Sequence, residues 1–448
     1  MPGRPSNPSR ESGPLPEDLP CVEIESLDRE GRGVAHASGK ALFLEGALPS
    51  EEVRYEITRR KPSYETGRTR AIVRASASRA EPACRHFGVC GGCSMQHLET
   101  RAQIAVKQRV LEDALWHIGK VRAESMLSPI MGPDWRYRHR ARLSVRRVKK
   151  KDAVLVGFHE RKSSFVADMD SCEVLPEPLS AAIPELRLLV DGLSIRERLP
   201  QIEIAVGEAV TVLVLRVLDS PTPADESLLK AYAERSGFQL WLQPGGPESA
   251  RPFWPLEAPA LDYSLPDFDV RIGFLPTDFT QVNHAVNRML VRRAMRLLDP
   301  RPNERVADFF SGLGNFSLPI ARSGAHVLGV EGNPGLVRRA QDNADRNGLG
   351  DSCTFETANL FEPQGCARYG GFEKILIDPP REGAIELVKS AAVESASRLV
   401  CVSCDPATLA RDASVLIHER GLRLAAAGVA NMFPHTSHVE SIALFERQ

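Results

Sequence analysis

The 448-residue sequence has no hydrophobic run long enough to span a bilayer and no signal peptide, which predicts a cytoplasmic protein with no membrane partner. Its nine cysteines are too few and too unevenly spaced for a secreted disulfide framework. The formal net charge is only -1, so the total charge alone argues against a nucleic-acid binder.

The near-neutral total hides two regions of opposite charge. Nine Lys or Arg and no acidic residue lie between Trp135 and Lys151, and their alternation places cations on one face of a predicted strand. By contrast, residues 173–270 contain 16 acidic and 7 basic residues. A row of cations without acids favours a polyanionic partner for the first region.

The composition divides the chain into four segments. Residues 1–20 contain six prolines and predict a disordered tail. Residues 21–80 predict a small OB-like β-barrel; its later part is basic with interleaved tyrosines, which favours RNA or DNA over a solvated sheet face. Residues 81–268 predict a central α+β domain. In residues 269–448, apolar strands alternate with helical stretches, which predicts an α/β domain with a parallel sheet.

Local patterns add three predictions. Apolar residues at helical spacing predict helices over 96–118 and 281–298. The stretch 244–260 is rich in Pro and Gly and predicts a connector.

Three cysteines of the central segment lie close together in sequence, at Cys84, Cys90 and Cys93, and Cys172 is the only other cysteine nearby. A three-plus-one set of thiolates suits an iron-sulfur cluster, and tetrahedral zinc is the direct competitor. The spacing leaves these two nearly equal, with three unrelated core cysteines as the third alternative.

The last segment carries the pattern of a nucleoside site. One predicted strand runs into Gly312 and Gly314, and the next ends in Glu331. Glycines let the backbone approach a ligand, and a carboxylate at a strand end holds ribose hydroxyls. No third glycine and no P-loop lysine are present, which favours S-adenosylmethionine over NAD or ATP. Asp378 ends a further strand at the same rim; its alternative role is a helix cap.

A thiol and a carboxyl group complete the candidate site. Cys404 follows an apolar strand and precedes Asp405 and Pro406, which predict an N-cap and a first helical position. The helix N-terminus favours thiolate, whereas Asp405 opposes it. Glu440 interrupts another apolar strand, where an unpaired carboxylate is costly. The alternative to a catalytic role for Cys404 is an inert buried thiol, like Cys401. The alternative for Glu440 is a structural salt bridge with an arginine.

Together these groups suit methylation of carbon 5 of uracil. A thiolate that adds to carbon 6 makes carbon 5 nucleophilic toward a sulfonium methyl donor. A base must then remove the carbon-5 proton before the thiolate is eliminated. The pyrimidine must leave the helical stack, so we expect a loop or a flipped nucleotide.

The sequence from Val22 to Arg447 resembles the RNA uracil-5 methyltransferases, most closely their bacterial 23S ribosomal RNA branch. The matching motifs are Cys84-x5-Cys90-x2-Cys93, Trp135 to Arg142, Asp278-Phe279-Thr280-Gln281-Val282-Asn283, Gly314-Asn315-Phe316, Ser403 to Asp412 and His435-Thr436-Ser437-His438-Val439-Glu440-Ser441.

The resemblance implies a Rossmann-like class I methyltransferase domain behind a TRAM barrel and an iron-sulfur domain. It implies Cys404 as nucleophile and Glu440 as base. It also implies a [4Fe-4S] cluster on the four cysteines and 23S ribosomal RNA as partner. We further expect a monomer. The S-adenosylmethionine contacts that the resemblance implies are Gln281, Phe310, Asn315, Glu331, Asn359 and Asp378. Family members often have Asn where Asp405 stands, which leaves the pKa of the thiol open.

Two other functions compete. An amino-group methyltransferase would use Asp378-Pro379-Pro380 to hold an exocyclic nitrogen and would not need Cys404. A non-catalytic RNA-binding or assembly factor would need no methyl donor.

Overall fold

The computed structural model describes residues 19–447, so the predicted disordered tail lies almost entirely outside the described residues. Within these residues the chain forms three large sheets and a two-stranded hairpin. Among them, no helix combines the length and the apolar character needed to cross a membrane.

The first sheet curls on itself. Its six strands lie in the order β1-β5-β6-β4-β3-β2, and only Ile24 and Glu25 separate β1 from β2, so the two ends of the order lie together. Ile24, Leu44 and Val53 are buried inside the curl. The strands are β1 (Cys21–Glu23), β2 (Ser26–Leu27), β3 (Gly33–Ala37), β4 (Lys40–Glu45), β5 (Glu52–Arg60) and β6 (Tyr64–Arg74).

The second sheet carries the basic strand. It is covered by α2 (Glu177–Gly192) and α3 (Pro223–Ser236), and its strand order is β13-β12-β11-β10-β8-β9. β13 lies within the stretch 244–260, so the prediction of a connector there is wrong in part: the chain pairs with β12 before it leaves the sheet. The strands are β8 (Arg140–Val148), β9 (Ala153–Gly157), β10 (Gln201–Val206), β11 (Thr211–Arg216), β12 (Gln239–Gln243) and β13 (Arg251–Trp254).

The third sheet has eight strands in the order β18-β17-β16-β19-β20-β22-β21-β7. β16 to β20 run parallel, as predicted, whereas β22 is antiparallel to both β20 and β21. The strands are β7 (Ser125–Met126), β16 (Arg305–Phe309), β17 (His326–Glu331), β18 (Cys353–Thr357), β19 (Lys374–Ile377), β20 (Arg398–Ser403), β21 (Leu422–Ala430) and β22 (Glu440–Arg447); the separate hairpin is β14 (Asp262–Leu265) and β15 (Val270–Gly273).

Helices cover both faces of this sheet, and buried apolar side chains on each face form one of its two cores. The helices are α1 (Thr100–His117), α4 (His284–Leu298), α5 (Ser317–Arg322), α6 (Pro334–Arg346), α7 (Pro363–Cys366), α8 (Ile385–Val388) and α9 (Pro406–His418). The helices predicted over 96–118 and 281–298 are confirmed as α1 and α4, but both begin later than predicted. α1 begins at Thr100, and α4 begins after its N-cap Asn283.

Two elements from the first third of the chain belong to this third sheet. Helix α1 packs against α9 and β21, and β7 pairs in parallel with β21. The sheet therefore reaches its full width only with residues that precede the second sheet in sequence.

Candidate active site

The ends of the parallel strands bring most of the predicted site residues to one edge of the third sheet. Phe309 pairs with both Val330 and Ile377, and Ile377 pairs with Cys401. The residues that follow these strands therefore lie side by side in the order of the strands. This edge, at the point where the strand order reverses between β16 and β19, is where open α/β sheets bind ligands.

Cys404 lies between the end of β20 and the start of α9, as predicted. Asp405 is the N-cap: its Oδ1 accepts hydrogen bonds from the backbone N–H groups of Ala407 (2.8 Å) and Thr408 (3.2 Å). Pro406 occupies the first helical position. The carboxylate of Asp405 is thus directed at its own helix, and the half-buried thiol stands at the strand end.

Glu440 lies opposite Cys404 on the neighbouring strand β22. β20 and β22 are antiparallel, and Ser403 pairs with Ser441, so Cys404 and Glu440 occupy the next position along the two strands. Glu440 is 3% exposed. It begins β22 rather than interrupting a strand, which corrects the prediction, because the residues from His435 to Val439 form a loop.

Burial and mutual repulsion raise the pKa of each acidic group in this site. The pKa of the Cys404 thiol is raised to about 11, mainly by burial and then by the carboxyl groups of Glu440 and Asp378, while Arg381 opposes the shift. Burial, with repulsion from Asp378, raises the pKa of Glu440 to about 8. Burial also raises the pKa of Asp378 to about 7. These interactions place the thiol and the two carboxyl groups in one electrostatic cluster.

Asp308 is a buried residue of this cluster that the sequence reasoning missed. It is 0% exposed in β16, and its pKa is raised to about 7, first by burial and then by repulsion from Asp378 and Glu331, although a hydrogen bond from Ser317 lowers it. Its other oxygen, Oδ1, has no hydrogen-bond partner among the described residues. An acid inside the apolar run Val306–Phe309 was the available signal.

The glycine turn and Glu331 form one connected structure. Oε2 of Glu331 accepts from the N–H of Gly312 at 3.2 Å, and Oε1 accepts from Asn333 N–H at 2.9 Å. Gly312 has φ 55°, and a side chain there would meet nothing within 4 Å, so the turn faces open space. The Phe310 ring lies 5.6 Å from that of Phe361, which is 47% exposed. The edge therefore offers a carboxylate, an open turn and an aromatic pair.

The other three predicted cofactor contacts differ in how they are placed. The amide of Asn315 is held by Asn287 of α4, through hydrogen bonds of 2.8 and 3.1 Å, and by the hydroxyl of Tyr263 at 3.0 Å. Asn359 accepts from Phe361 N–H at 3.1 Å, beyond the end of β18. Gln281 is half-buried just before α4. Asn315 thus connects the glycine turn to α4 and the β14 hairpin.

The four predicted cysteine ligands line one cavity. The pKa of Cys90 is raised to about 11 and that of Cys93 to about 12, mainly by burial and in smaller part by the neighbouring Cys172. The pKa of Cys172 is also raised, mainly by burial and in smaller part by Cys84. In the described part of the chain, no group of three or more His, Cys, Asp or Glu side chains is arranged to hold a metal ion. The four thiols therefore share the lining of one cavity without forming a set of metal ligands.

The basic strand β8 has the predicted alternation. Ala141, Leu143 and Val145 are buried, whereas Arg142 and Arg146 are exposed. Arg142 is paired with Glu203 at 3.0 Å. The outward face of β8 is therefore cationic, with part of its charge neutralised by the neighbouring strand β10.

The fold is that of a Rossmann-like methyltransferase. The chain superimposes with a TM-score of 0.73, at 24% identity, on the crystal structure of the Pyrococcus abyssi tRNA (uracil-54, C5)-methyltransferase in complex with S-adenosyl-L-homocysteine. The match covers 95% of this chain and all of that one. The predicted α/β methyltransferase architecture is confirmed.

Sequence relatives identify the family. A family model described as tRNA (Uracil-5-)-methyltransferase matches residues 366–448. Proteins named 23S rRNA (uracil(1939)-C(5))-methyltransferase RlmD from Aromatoleum aromaticum and Nitrosospira multiformis are each 60% identical to this chain. These matches cover 96% and 95% of this chain and 100% and 98% of the relatives. The chain belongs to this family of RNA uracil-5 methyltransferases, as its sequence motifs predict.

Proposed function

We propose that this chain methylates carbon 5 of a specific uridine in 23S ribosomal RNA, with S-adenosylmethionine as the methyl donor. The observation that carries the proposal is the position of Cys404 opposite Glu440, one residue beyond the last pair of β20 and β22, within electrostatic range of Asp378. The relatives at 60% identity are named for uracil 1939, so we propose the corresponding uridine as the target.

The two side chains divide the reaction between them. The Cys404 thiolate adds to carbon 6 of the uracil, which forms a C–S bond and moves electron density to carbon 5. Carbon 5 takes the methyl group that S-adenosylmethionine supplies. Glu440 then removes the carbon-5 proton, the 5,6 double bond re-forms, and the C–S bond breaks to release Cys404.

The resting site must be activated before this reaction. With the pKa of Cys404 near 11 and that of Glu440 near 8, both groups are protonated in the free protein at neutral pH. A bound sulfonium cation favours the charged forms of nearby acids, because opposite charges lower their pKa. The donor would therefore help to create the thiolate and the carboxylate that the reaction requires.

The edge of the third sheet is suited to the donor. Glu331 would bind the ribose hydroxyls, and Phe310 would contact the adenine beside Phe361. Buried oxygens without partners among the described residues, Asp308 Oδ1 and Ser311 Oγ, lie at the same edge and can accept or donate hydrogen bonds to a ligand. We assign the remaining contacts to Gln281, Asn315, Asn359 and Asp378.

We further propose that Cys84, Cys90, Cys93 and Cys172 hold a [4Fe-4S] cluster. Four thiols around one cavity are the donor set that such a cluster requires. Coordination to iron would hold these cysteines as thiolates, although their burial favours the protonated thiol in the free protein. The cluster would cross-link the 84–93 loop to the start of α2 and thereby stabilise this region.

The first two sheets are assigned to RNA binding. We propose residues 21–80 as a TRAM-like barrel, 81–268 as the central iron-sulfur domain with β8 as its phosphate-binding face, and 269–448 as the methyltransferase domain. The cationic outer face of β8 would hold the RNA backbone while the target base is flipped toward Cys404. The monomeric state and the cytoplasmic location stay predictions.

The test is a map of 5-methyluridine in 23S ribosomal RNA from a strain that lacks this gene. We expect one 5-methyluridine to disappear, to return with the wild-type gene, and to stay absent with Cys404→Ala. An unchanged map, or a lost methyl group on an adenine or guanine nitrogen instead, would overturn the proposal.

A further inference from the structure

The loop from Asn431 to Val439 joins β21 to β22 and so determines where Glu440 enters its strand. It is largely enclosed: Asn431 is 1% exposed and His435 is 3% exposed. Many of its polar groups are bound by residues from the first third of the chain rather than by the sheet to which it belongs.

Lys107 of α1 is the first of these partners. Its side chain is 1% exposed, and Nζ donates to Oδ1 of Asn431 at 2.8 Å and to the carbonyl oxygen of Phe433 at 2.9 Å. Burial lowers the pKa of this ammonium to about 7, and Asp134 only partly opposes the shift. An apolar side chain of the same length would pack here without the cost of burying a charge, so packing alone does not account for a lysine.

Gln103, one turn earlier on α1, is the second partner. It is 0% exposed; its Oε1 accepts from the backbone N–H of His435 at 2.8 Å, and its Nε2 donates to the carbonyl oxygens of Met95 (3.0 Å) and Leu98 (2.7 Å). His435 has φ 63°, which residues other than glycine rarely adopt, so these contacts hold an unfavourable backbone conformation.

The loop that carries the clustered cysteines supplies the third partner. The N–H groups of Ser94 and Met95, directly after Cys93, both donate to the carbonyl oxygen of His435 at 2.9 Å. The ring of Trp135 stacks on the imidazole of His435 at a centroid distance of 3.8 Å. The loop before Glu440 is therefore fixed from three sides.

We propose that Gln103 and Lys107 are positioning residues for the removal of the carbon-5 proton. They hold the loop 431–439 so that Glu440 faces the adduct on Cys404. Both β20 and β22 are paired on both sides within the sheet, but Glu440 is the first residue of β22 and directly follows the loop, whereas Cys404 lies between β20 and α9. Loss of the hydrogen bonds from Gln103 and Lys107 should therefore slow proton removal by Glu440 and leave thiolate addition by Cys404 unchanged. This inference depends on the proposed uracil chemistry.

The test separates the two steps with two RNA substrates and the variants Lys107→Met and Arg109→Met. Methionine keeps most of the unbranched apolar length of Lys107 and removes the donor. Arg109 is exposed on the same helix, and within residues 19–447 its ion pair is with Asp113. RNA with 5-fluorouridine traps a covalent complex whenever thiolate addition and methyl transfer occur, because fluorine cannot be removed as a proton. With ordinary uridine, a covalent complex accumulates only if proton removal is slow.

For Lys107→Met we expect turnover about 10- to 100-fold below wild type, an unchanged yield of complex on the fluorinated RNA, and an accumulated complex on ordinary uridine RNA. Arg109→Met should match wild type in turnover, in the yield of complex on fluorinated RNA and in the absence of an accumulated complex on uridine RNA. Unchanged turnover, or equal loss of turnover and of the fluorinated complex, would overturn the inference.

A second pair of variants covers the case in which Lys107→Met does not fold, as judged by its thermal melt. Asn431→Ala removes one acceptor of Lys107 from the loop itself and should give the same accumulation on uridine RNA. Asn431→Asp keeps the acceptor and should restore turnover. No accumulation with Asn431→Ala would overturn the inference. If wild type itself gives no fluorinated complex, the proposed function fails, which is a different result.

Discussion

The carboxyl group of Glu440 raises the pKa of the Cys404 thiol across the gap between β22 and β20. The base and the nucleophile are therefore coupled before any substrate arrives, since ionising one makes it harder to ionise the other.

This coupling predicts a pH-dependent effect of Glu440→Gln on the reactivity of Cys404. The pKa of Glu440 is raised to about 8, so the carboxyl is neutral and without effect below that pH. Above it, the wild-type carboxylate repels the thiolate, and the variant should be alkylated several-fold faster. Iodoacetamide labelling of the Cys404 peptide, followed by mass spectrometry from about pH 7 to about pH 10, measures this. Equal rates above pH 8 would contradict it.

Cys404→Ala should abolish methyl transfer and the covalent complex on fluorinated RNA, because it removes the sulfur that adds to carbon 6 in the proposed reaction. Cys401→Ala is the matched control, since Cys401 is buried three residues earlier in β20 and does not take part in the proposed reaction. Its removal should cost about 1 kcal/mol of stability and leave turnover near wild type. Residual turnover in Cys404→Ala would exclude the thiol mechanism.

Anaerobically purified protein should be brown and contain iron and sulfide. Cys172→Ser should lose most of the iron, because it removes one of four ligands from the shared cavity. Cys21→Ser should retain it, since Cys21 is exposed on β1. Metal analysis and the absorbance spectrum measure both. A colourless protein that contains zinc would exclude the cluster and leave the methyl-transfer proposal standing.

Replacing Arg146 and Lys150 by Ala should weaken RNA binding at all sequences and flatten its salt dependence. Both side chains are exposed on or just after β8 and make no ion pair within residues 19–447. Removing one cation that binds a phosphate should reduce the slope of log affinity against log salt by about 0.7 to 0.9. Arg198→Ala, which breaks a surface pair with Asp219, is the control and should change neither quantity. Filter binding at several salt concentrations provides the slopes.

Asp225 should make the fold sensitive to acid. Burial acts to raise its pKa, but hydrogen bonds from Ser194 and Thr222 outweigh it and lower the pKa from 3.8 to about 2. A depressed pKa stabilises the folded state above the unfolded pKa, and this stabilisation is lost as the pH falls from about 4 to about 2. Asp225→Asn should cost about 1 to 3 kcal/mol at neutral pH and should lose less stability on acidification. Urea unfolding of both proteins at several pH values compares them; parallel curves would contradict the assignment.

The sequence was most informative where function depends on local order. The Cys404-Asp405-Pro406 run specifies a strand end, a cap and a first helical turn, and each is present as predicted. Glu440 was recognised as a buried acid, but its place at the start of β22 was not, because that depends on the register with β20. Lys107 could not have been recognised at all, since its partners lie 324 and 326 residues away. The order of the antiparallel strands is likewise a non-local property.

The pairing of β7 with β21 has a consequence for any attempt to shorten the chain. β7 is only Ser125 and Met126, yet it covers the outermost strand of the catalytic sheet. In a fragment that begins at residue 269, the main-chain N–H and C=O groups of β21 that pair with β7 would be unpaired. An unpaired edge strand of this kind promotes aggregation. Residues 269–448 are therefore not expected to be stable as a separate fragment. A shortened protein should also contain residues 100–130.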